Sequence, residues 1–258
     1  MRLAVIQSPA ELPGGTARFD WLRGCLPTVA ARGADLVLLP ELFACGYNIG
    51  DAVAGRAEPV NGPGFDTLAV LAKEFNLALH AGFAERAEGR IYNAALCVAP
   101  DGSLLCHQRK LAIPPGFERG HFTPGQGCRM FDWCGLKIAT LICYDAEFPE
   151  TVRHVARLGA QLVLVPTALG ARWGWVAHSM IPTRAYENGV FLAYANSAGT
   201  ENGMAFLGAS VIANPDGTEA ARAGANAEVI YADLTAAQVT AAQDRLPYLT
   251  DRTALHLE

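Results

Sequence analysis

Apolar residues in this chain fall in short unbroken runs rather than in strict alternation. Residues 2–7 (Arg-Leu-Ala-Val-Ile-Gln), 35–39 (Asp-Leu-Val-Leu-Leu), 136–142 (Leu-Lys-Ile-Ala-Thr-Leu-Ile) and 161–165 (Gln-Leu-Val-Leu-Val) are of this kind. Runs of this length, rich in Leu, Ile and Val, predict strands buried on both faces. Between them, apolar positions at helical spacing predict helices over 16–32, 65–75, 148–158 and 235–243, with Gly33 and Gly159 as stops. Strand, helix, strand over the first 39 residues predicts a right-handed parallel unit. Further strands are expected over 77–83, 91–99, 104–110, 129–133, 190–194, 209–213 and 229–232. Turns are expected at Glu88-Gly89, Pro100-Asp101-Gly102 and Asn214-Pro-Asp-Gly217. Residues 175–188 read as helical, except that Pro182 must kink that helix or begin a new segment. Residues 46–64 are loop-rich, and 112–127 form a long irregular loop, the kind that in a compact domain usually serves function. The tail is polar.

Many strands with few helices per strand predict an α/β protein of two stacked sheets with helices outside, rather than one doubly wound sheet. One outer helical face could serve a dimer. No repeat, linker or low-complexity run divides the chain, so residues 1–258 read as a single domain. Half the composition is hydrophobic, enough for a sizeable core. The net charge is −5 without a basic patch, which argues against nucleic acid as a partner. No apolar run is long enough to cross a bilayer, and the N-terminus does not read as a signal peptide. The seven cysteines (25, 45, 97, 106, 128, 134 and 143) are odd in number and form neither Cys-x-x-Cys nor a zinc pattern. A reducing cytoplasm, no disulfide framework, no metal and no cofactor are the expectation.

Chemistry concentrates at strand ends. Leu39-Pro40-Glu41 ends in a carboxylate, Gln108-Arg109-Lys110 in an amine and Leu141-Ile142-Cys143 in a thiol. Cys143 sits on the turn into a helix that Pro149 can open, an exposed and rigid place for a nucleophile. A thiol, a base to take its proton and an ammonium to stabilise an oxyanion make a working set for acyl transfer. Alone, each has an ordinary reading: Cys143 as a small core residue, Glu41 and Lys110 as solvated charges.

The three stretches together resemble the nitrilase superfamily of carbon–nitrogen hydrolases, over essentially the whole chain. The matching motifs are Leu-Pro-Glu41 with Gly46-Tyr47 downstream, Arg-Lys110-Leu, and Ile-Cys143-Tyr-Asp-Ala-Glu-Phe-Pro-Glu150. The resemblance implies a four-layer α-β-β-α sandwich and pairing into a homodimer or a higher homo-oligomer. It implies Glu41 as general base, Lys110 as oxyanion stabiliser, Cys143 as nucleophile and the Tyr144 N–H as second oxyanion donor. It implies that Glu118, in the loop after the lysine, holds Lys110 and orients the substrate. The Cys-Tyr-Asp-x-Glu-Phe-Pro-Glu form is similar to the amidase-type branches, so a small carboxamide is the expected substrate. N-carbamoyl amides, ω-amides of keto acids and, last, nitriles are the alternatives. Tyr47, Phe117, Ala168, Trp173 and Phe206 are candidate pocket walls, and Arg172 and Arg184 are candidates for a substrate carboxylate. Two other classes stay open: a binding protein on this fold, which would normally lose one of the three residues, and a redox protein, for which Cys134 could be a spatial neighbour of Cys143.

Overall fold

The computed structural model describes residues 1–255; residues 256–258, the end of the polar tail, lie outside the described residues. The unbroken apolar runs form the middle of two sheets. In the first, β1 (Arg2–Gln7), β2 (Leu36–Leu38) and β3 (Ala78–Ala87) pair parallel, and β4 (Arg90–Val98) and β5 (Leu104–Arg109) continue antiparallel. In the second, β6 (Met130–Trp133) is an antiparallel edge beside three parallel strands, β7 (Leu136–Thr140), β8 (Leu162–Pro166) and β9 (Phe191–Ala195). A hairpin of β10 (Ala198–Glu201) and β11 (Met204–Leu207) pairs with neither sheet. Strands β12 (Val211–Ala213) and β13 (Glu219–Arg222) extend the second sheet, and β14 (Glu228–Asp233) returns to the first. Among the described residues the two six-stranded orders are β14-β1-β2-β3-β4-β5 and β13-β12-β9-β8-β7-β6.

The helices are α1 (Gly15–Ala31), α2 (Ala52–Arg56), α3 (Pro63–Phe75), α4 (Phe117–His121), α5 (Pro149–Arg157), α6 (Ile181–Tyr186), α7 (Ala236–Arg245) and α8 (Tyr248–Asp251). Alternate strand residues point to opposite faces, and here both faces are covered. Leu3, Val5, Leu36 and Leu38 meet Ile138, Leu162, Leu164 and Phe191 between the sheets. Ala4, Ile6, Val37 and Leu39 meet Leu22, Leu26, Leu68 and Leu71 of α1 and α3. Val163, Val165 and Leu192 meet Val152, Val155, Ile181 and Ala185 of α5 and α6. The result is the four-layer α-β-β-α sandwich, and it explains why the strands read as continuous apolar runs.

Four local features refine the expected elements. Residues 176–180 form a wide π-type turn, and α6 starts afresh with Pro182 in its first turn, where a missing N–H is tolerated. The long loop contains α4, a single short helix. The β10–β11 hairpin was not expected, because its segment is interrupted by glycines at 199, 203 and 208, all with positive φ, rather than patterned as strands. The predicted strand 77–83 runs on to Ala87, where Glu88 and Gly89, both at positive φ, make the tight turn.

His80 of β3 is fully buried, and its Nε2 lies 3.0 Å from Thr140 Oγ1 of β7, tying sheet to sheet. Burial depresses the imidazole from its ordinary value to about 3. The unfolded chain therefore binds a proton near pH 6.5 that the folded chain refuses. The stability this group contributes is complete above that pH and is lost as pH falls toward 3. Acidification from pH 6.5 to 5 should cost about 2 kcal/mol through His80. Urea unfolding of His80→Leu across that range should show a shallower loss than the parent; an unchanged slope would contradict the assignment.

Candidate active site

Three turns bring the predicted residues together. Glu41 follows β2 in a tight turn whose next residue, Leu42, has φ +51°. The turn lies flat on β3, where a Cβ at Gly82 would stand 2.3 Å from the Leu42 nitrogen and 2.8 Å from Glu41 Cα. Glycine is what permits that approach. Lys110 caps β5; its N–H donates to the Asn93 carbonyl (2.8 Å), and its carbonyl accepts from Gly125 (2.7 Å). Cys143 opens a 3-10 turn, Cys143–Glu147, between β7 and α5, with φ +48°. The left-handed region costs a non-glycine residue about 1–2 kcal/mol, so the fold holds this cysteine under strain. The helix predicted from 148 therefore starts one turn later than Cys143, and Tyr144 lies in the 3-10 turn, its ring against Phe148 (centroids 4.9 Å).

Lys110 is completely buried between two carboxylates. Its Nζ donates to Glu41 Oε1 at 2.7 Å and to Glu118 Oε1 and Oε2 at 2.6 and 2.8 Å. Asn93 Nδ2 bridges the same pair, 2.7 Å from Glu41 Oε1 and 3.0 Å from Glu118 Oε2. The Tyr47 hydroxyl donates to Glu118 Oε1 at 2.7 Å. Glu118 thus has both oxygens engaged, while Glu41 Oε2 is buried without a partner. Burial pushes the Glu41 carboxyl up, Lys110 pulls it back and Glu118 adds to the rise, leaving it at about 7. Burial by itself would lower the Lys110 ammonium; Glu41, Cys143 and Glu118 override it and hold the ammonium charged. Burial also pushes the Cys143 thiol well up, Glu41 adds to that rise and Lys110 opposes it. The resting cysteine is therefore a thiol. A carboxyl near neutrality with one free oxygen is what a proton acceptor for that thiol requires.

Two residues escaped the sequence reading. Asn93 was signalled only by an amide inside an otherwise apolar strand. Asp145 was signalled by an acid two residues after the cysteine. Its buried carboxylate accepts N–H bonds from Ile142 (3.0 Å), Leu111 (3.0 Å) and Ala112 (2.8 Å). It therefore pins the segment after Lys110 onto the residue before Cys143. Burial raises this carboxyl to about 6 against those bonds.

Of the candidate walls, Tyr47 sits edge-on to Phe117 (5.8 Å) and Phe206 (6.2 Å), and Ala168 joins Phe206, Tyr47 and Met204 in one apolar cluster. Trp173 stands outside that cluster, 54% exposed, with the Arg172 guanidinium 5.2 Å over its ring. Arg184 is committed to the Glu147 carbonyl (2.7 Å) and to Glu187 (3.1 Å). Cys134 is exposed, in the turn at the opposite end of β7 from Cys143, and all seven cysteines are free. Among the described residues no cluster of three or more His, Cys, Asp or Glu is arranged to hold a metal ion, and no helix is long and apolar enough to cross a membrane.

The carbon–nitrogen hydrolase family profile matches residues 2–244. A protein described as "Hydrolase in pqqF 5'region" from Pseudomonas protegens is 36% identical over 258 residues, 98% of this chain and 89% of that one. An (R)-stereoselective amidase from Pseudomonas sp is 35% identical over 223 residues, covering 86% of this chain and 81% of its own. An amidase from Nesterenkonia sp. superposes with a TM-score of 0.87 at 33% identity, with 99% of this chain and 96% of that chain covered. Other structures of that amidase include one in complex with butyramide and one with acrylamide added at the active-site cysteine. This chain belongs to the carbon–nitrogen hydrolase family, within the nitrilase superfamily, and is an enzyme of that class.

Replacing Asp145 by Asn keeps one oxygen but turns an NH2 toward a backbone N–H that needs an acceptor. Asp145→Asn should lose about 2 kcal/mol in urea unfolding. Unchanged stability would show that the clamp is dispensable.

Proposed function

We propose that this chain hydrolyses the C–N bond of small uncharged carboxamides to acid and ammonia through a thioester on Cys143. The observation that carries the reading is the free, buried Glu41 Oε2 on a carboxyl near neutrality, beside an ammonium that two carboxylates keep charged. Glu41 Oε2 takes the thiol proton as Cys143 Sγ bonds to the amide carbon. The carbonyl oxygen takes up negative charge, and Lys110 Nζ and the Tyr144 N–H stabilise it. The intermediate collapses by breaking the C–N bond, and the departing amine takes the proton from Glu41 and leaves as ammonia. Water then attacks the thioester, giving its proton to Glu41. The C–S bond breaks, the acid leaves and the proton returns to sulfur.

Glu118 positions Lys110 by sharing one N–H between its two oxygens, so that with Glu41 taking a second the third is left for the oxyanion. The apolar cluster of Tyr47, Ala168 and Phe206 suits an aliphatic acyl group. Arg184, the inner of the two candidate arginines, is already bonded, so a neutral amide is favoured over carbamoyl amino acids and keto-acid ω-amides. Ammonia release from acetamide, butyramide, keto-acid ω-amides, N-carbamoyl amino acids and nitriles separates these classes; ammonia from nitriles alone would overturn the amidase reading.

Cys143→Ala should fold and lose turnover by about a thousandfold or more; a variant that retains full activity would sink the nucleophile assignment. The pH dependence follows from Glu41. Its protonated form cannot accept the thiol proton, so kcat/KM should fall about tenfold per unit below pH 7. Activity that stays flat down to pH 5 would rule out Glu41 as the base.

A further inference from the structure

The β10–β11 hairpin carries Phe206 to its place beside Tyr47, yet it pairs with neither sheet. Backbone bonds seat its two outer ends: the Ala198 N–H donates to the Ser8 carbonyl (2.9 Å), the Ala10 N–H to the Ala198 carbonyl (2.8 Å) and the Leu207 N–H to the Leu169 carbonyl (2.9 Å). A buried polar clamp fastens its turn end. Arg18 of α1 is 3% exposed, and its Nη2 donates to Glu201 Oε1 at 2.7 Å and to the Ala10 carbonyl at 2.9 Å. Glu201, the last residue of β10, is 7% exposed, and its Oε2 accepts from the Tyr47 N–H (2.9 Å) and the Asn48 N–H (2.6 Å). Asn48 Nδ2 donates to the carbonyls of Glu201 (3.1 Å) and Asn202 (3.2 Å), and Asn202 Nδ2 donates back to the Asn48 carbonyl (2.8 Å). Gly46, at φ +94°, makes the space: a Cβ there would stand 2.6 Å from Glu201 Oε1.

A cavity of about 330 Å³ adjoins the clamp, lined in part by Leu12, Pro13, Ile49, Thr200 and Glu201. Burying both charges brings little net stability, since desolvation offsets much of their attraction. What the pair does supply is fixed geometry. The atoms it fixes are the backbone of Tyr47 and Asn48, and Tyr47 is at once a wall ring and a donor to Glu118.

We propose that Arg18 and Glu201 are a positioning pair that sets the acyl-group wall of the site, and through it the length of aliphatic amide the enzyme accepts. This rests on the amide-hydrolase reading above. The pair locks hairpin and loop into one wall, so Tyr47 and Phe206 meet the acyl chain at a fixed separation. Loosening the wall raises KM for amides long enough to touch it. Turnover of acetamide, too short to need it, changes little, because Lys110 keeps its bonds to Glu41 and Glu118.

The test uses Arg18→Met/Glu201→Gln, which removes both charges so that neither is left buried alone, and Asn48→Ala, which weakens the same clamp without touching the charges. Steady-state kinetics are measured on acetamide, butyramide and hexanamide. KM for the two longer amides should rise about tenfold in the double variant, with kcat on acetamide within about threefold of the parent. Asn48→Ala should shift in the same direction by a smaller factor. A second readout needs no turnover: Cys143 alkylation by 2-bromoacetamide against 2-bromohexanamide, whose rate ratio should flatten in both variants. Unchanged KM and alkylation ratios, or a uniform fall in kcat on all amides, would overturn the proposal. If the parent cleaves no amide, the hydrolase reading fails, while the alkylation ratio still decides the role of the pair.

Discussion

An ammonium without solvent contact, held between two carboxylates, is the constraint on which this site depends. An isolated lysine so deeply buried would give up its proton. Lys110 keeps it because Glu41 and Glu118 stand within hydrogen-bond distance. The arrangement then leaves one more carboxylate than ammonium. The excess falls on Glu41, whose second oxygen has no partner and whose carboxyl rises to about 7. The same burial keeps Cys143 a thiol at rest. The charge on Lys110 and the raised carboxyl of Glu41 are thus two sides of one electrostatic balance, and removing any member would change the protonation of the others.

The fold's part is to bring three chain segments together at strand ends. Glu41 and Lys110 come from the first sheet and Cys143 from the second, so the site straddles the two layers. Each contributing turn has a device that fixes it. Gly82 lets the Glu41 turn lie on β3, Gly125 seats the carbonyl of Lys110, and Asp145 fastens the segment after Lys110 to the residue before Cys143. A fourth device, the buried pair Arg18–Glu201, ties the β10–β11 hairpin to α1 and, through the Tyr47 and Asn48 N–H groups, to the loop after Glu41. The placement of Glu41, Lys110 and Cys143 therefore rests on backbone contacts and buried polar bonds, which hold geometry more tightly than apolar packing alone.

The parts legible in the sequence were those governed by local pattern. Strands buried on both faces announce themselves as unbroken apolar runs, so nearly every strand of the two main sheets was placed to within a few residues, and the two-sheet architecture followed. Glu41, Lys110 and Cys143 stood at the ends of predicted strands, and only the family resemblance joined them into one candidate site; Lys110 and Glu41 do meet, at 2.7 Å. Asn93, Asp145, Arg18 and Glu201 were not legible, because their roles come from partners distant in sequence. Glu201 and Tyr47, 154 positions apart, meet only once the hairpin has folded over the loop. Nor could the pattern tell that Trp173, aromatic and adjacent to the wall segment, would stand out toward solvent while Phe206 turned in. The β10–β11 hairpin itself was hidden by its glycines, which mark tight turns rather than strands.

In the proposed reaction Cys143 carries the acyl group and Glu41 accepts its proton. The most direct measurement is the mass of the enzyme quenched in acid within milliseconds of mixing with a primary amide, followed by peptide mapping. The expected result is a transient gain equal to the acyl group, located on Cys143, that forms faster as pH rises through 7. Amide hydrolysis with no acyl group on Cys143, or with the group on another cysteine, would contradict it.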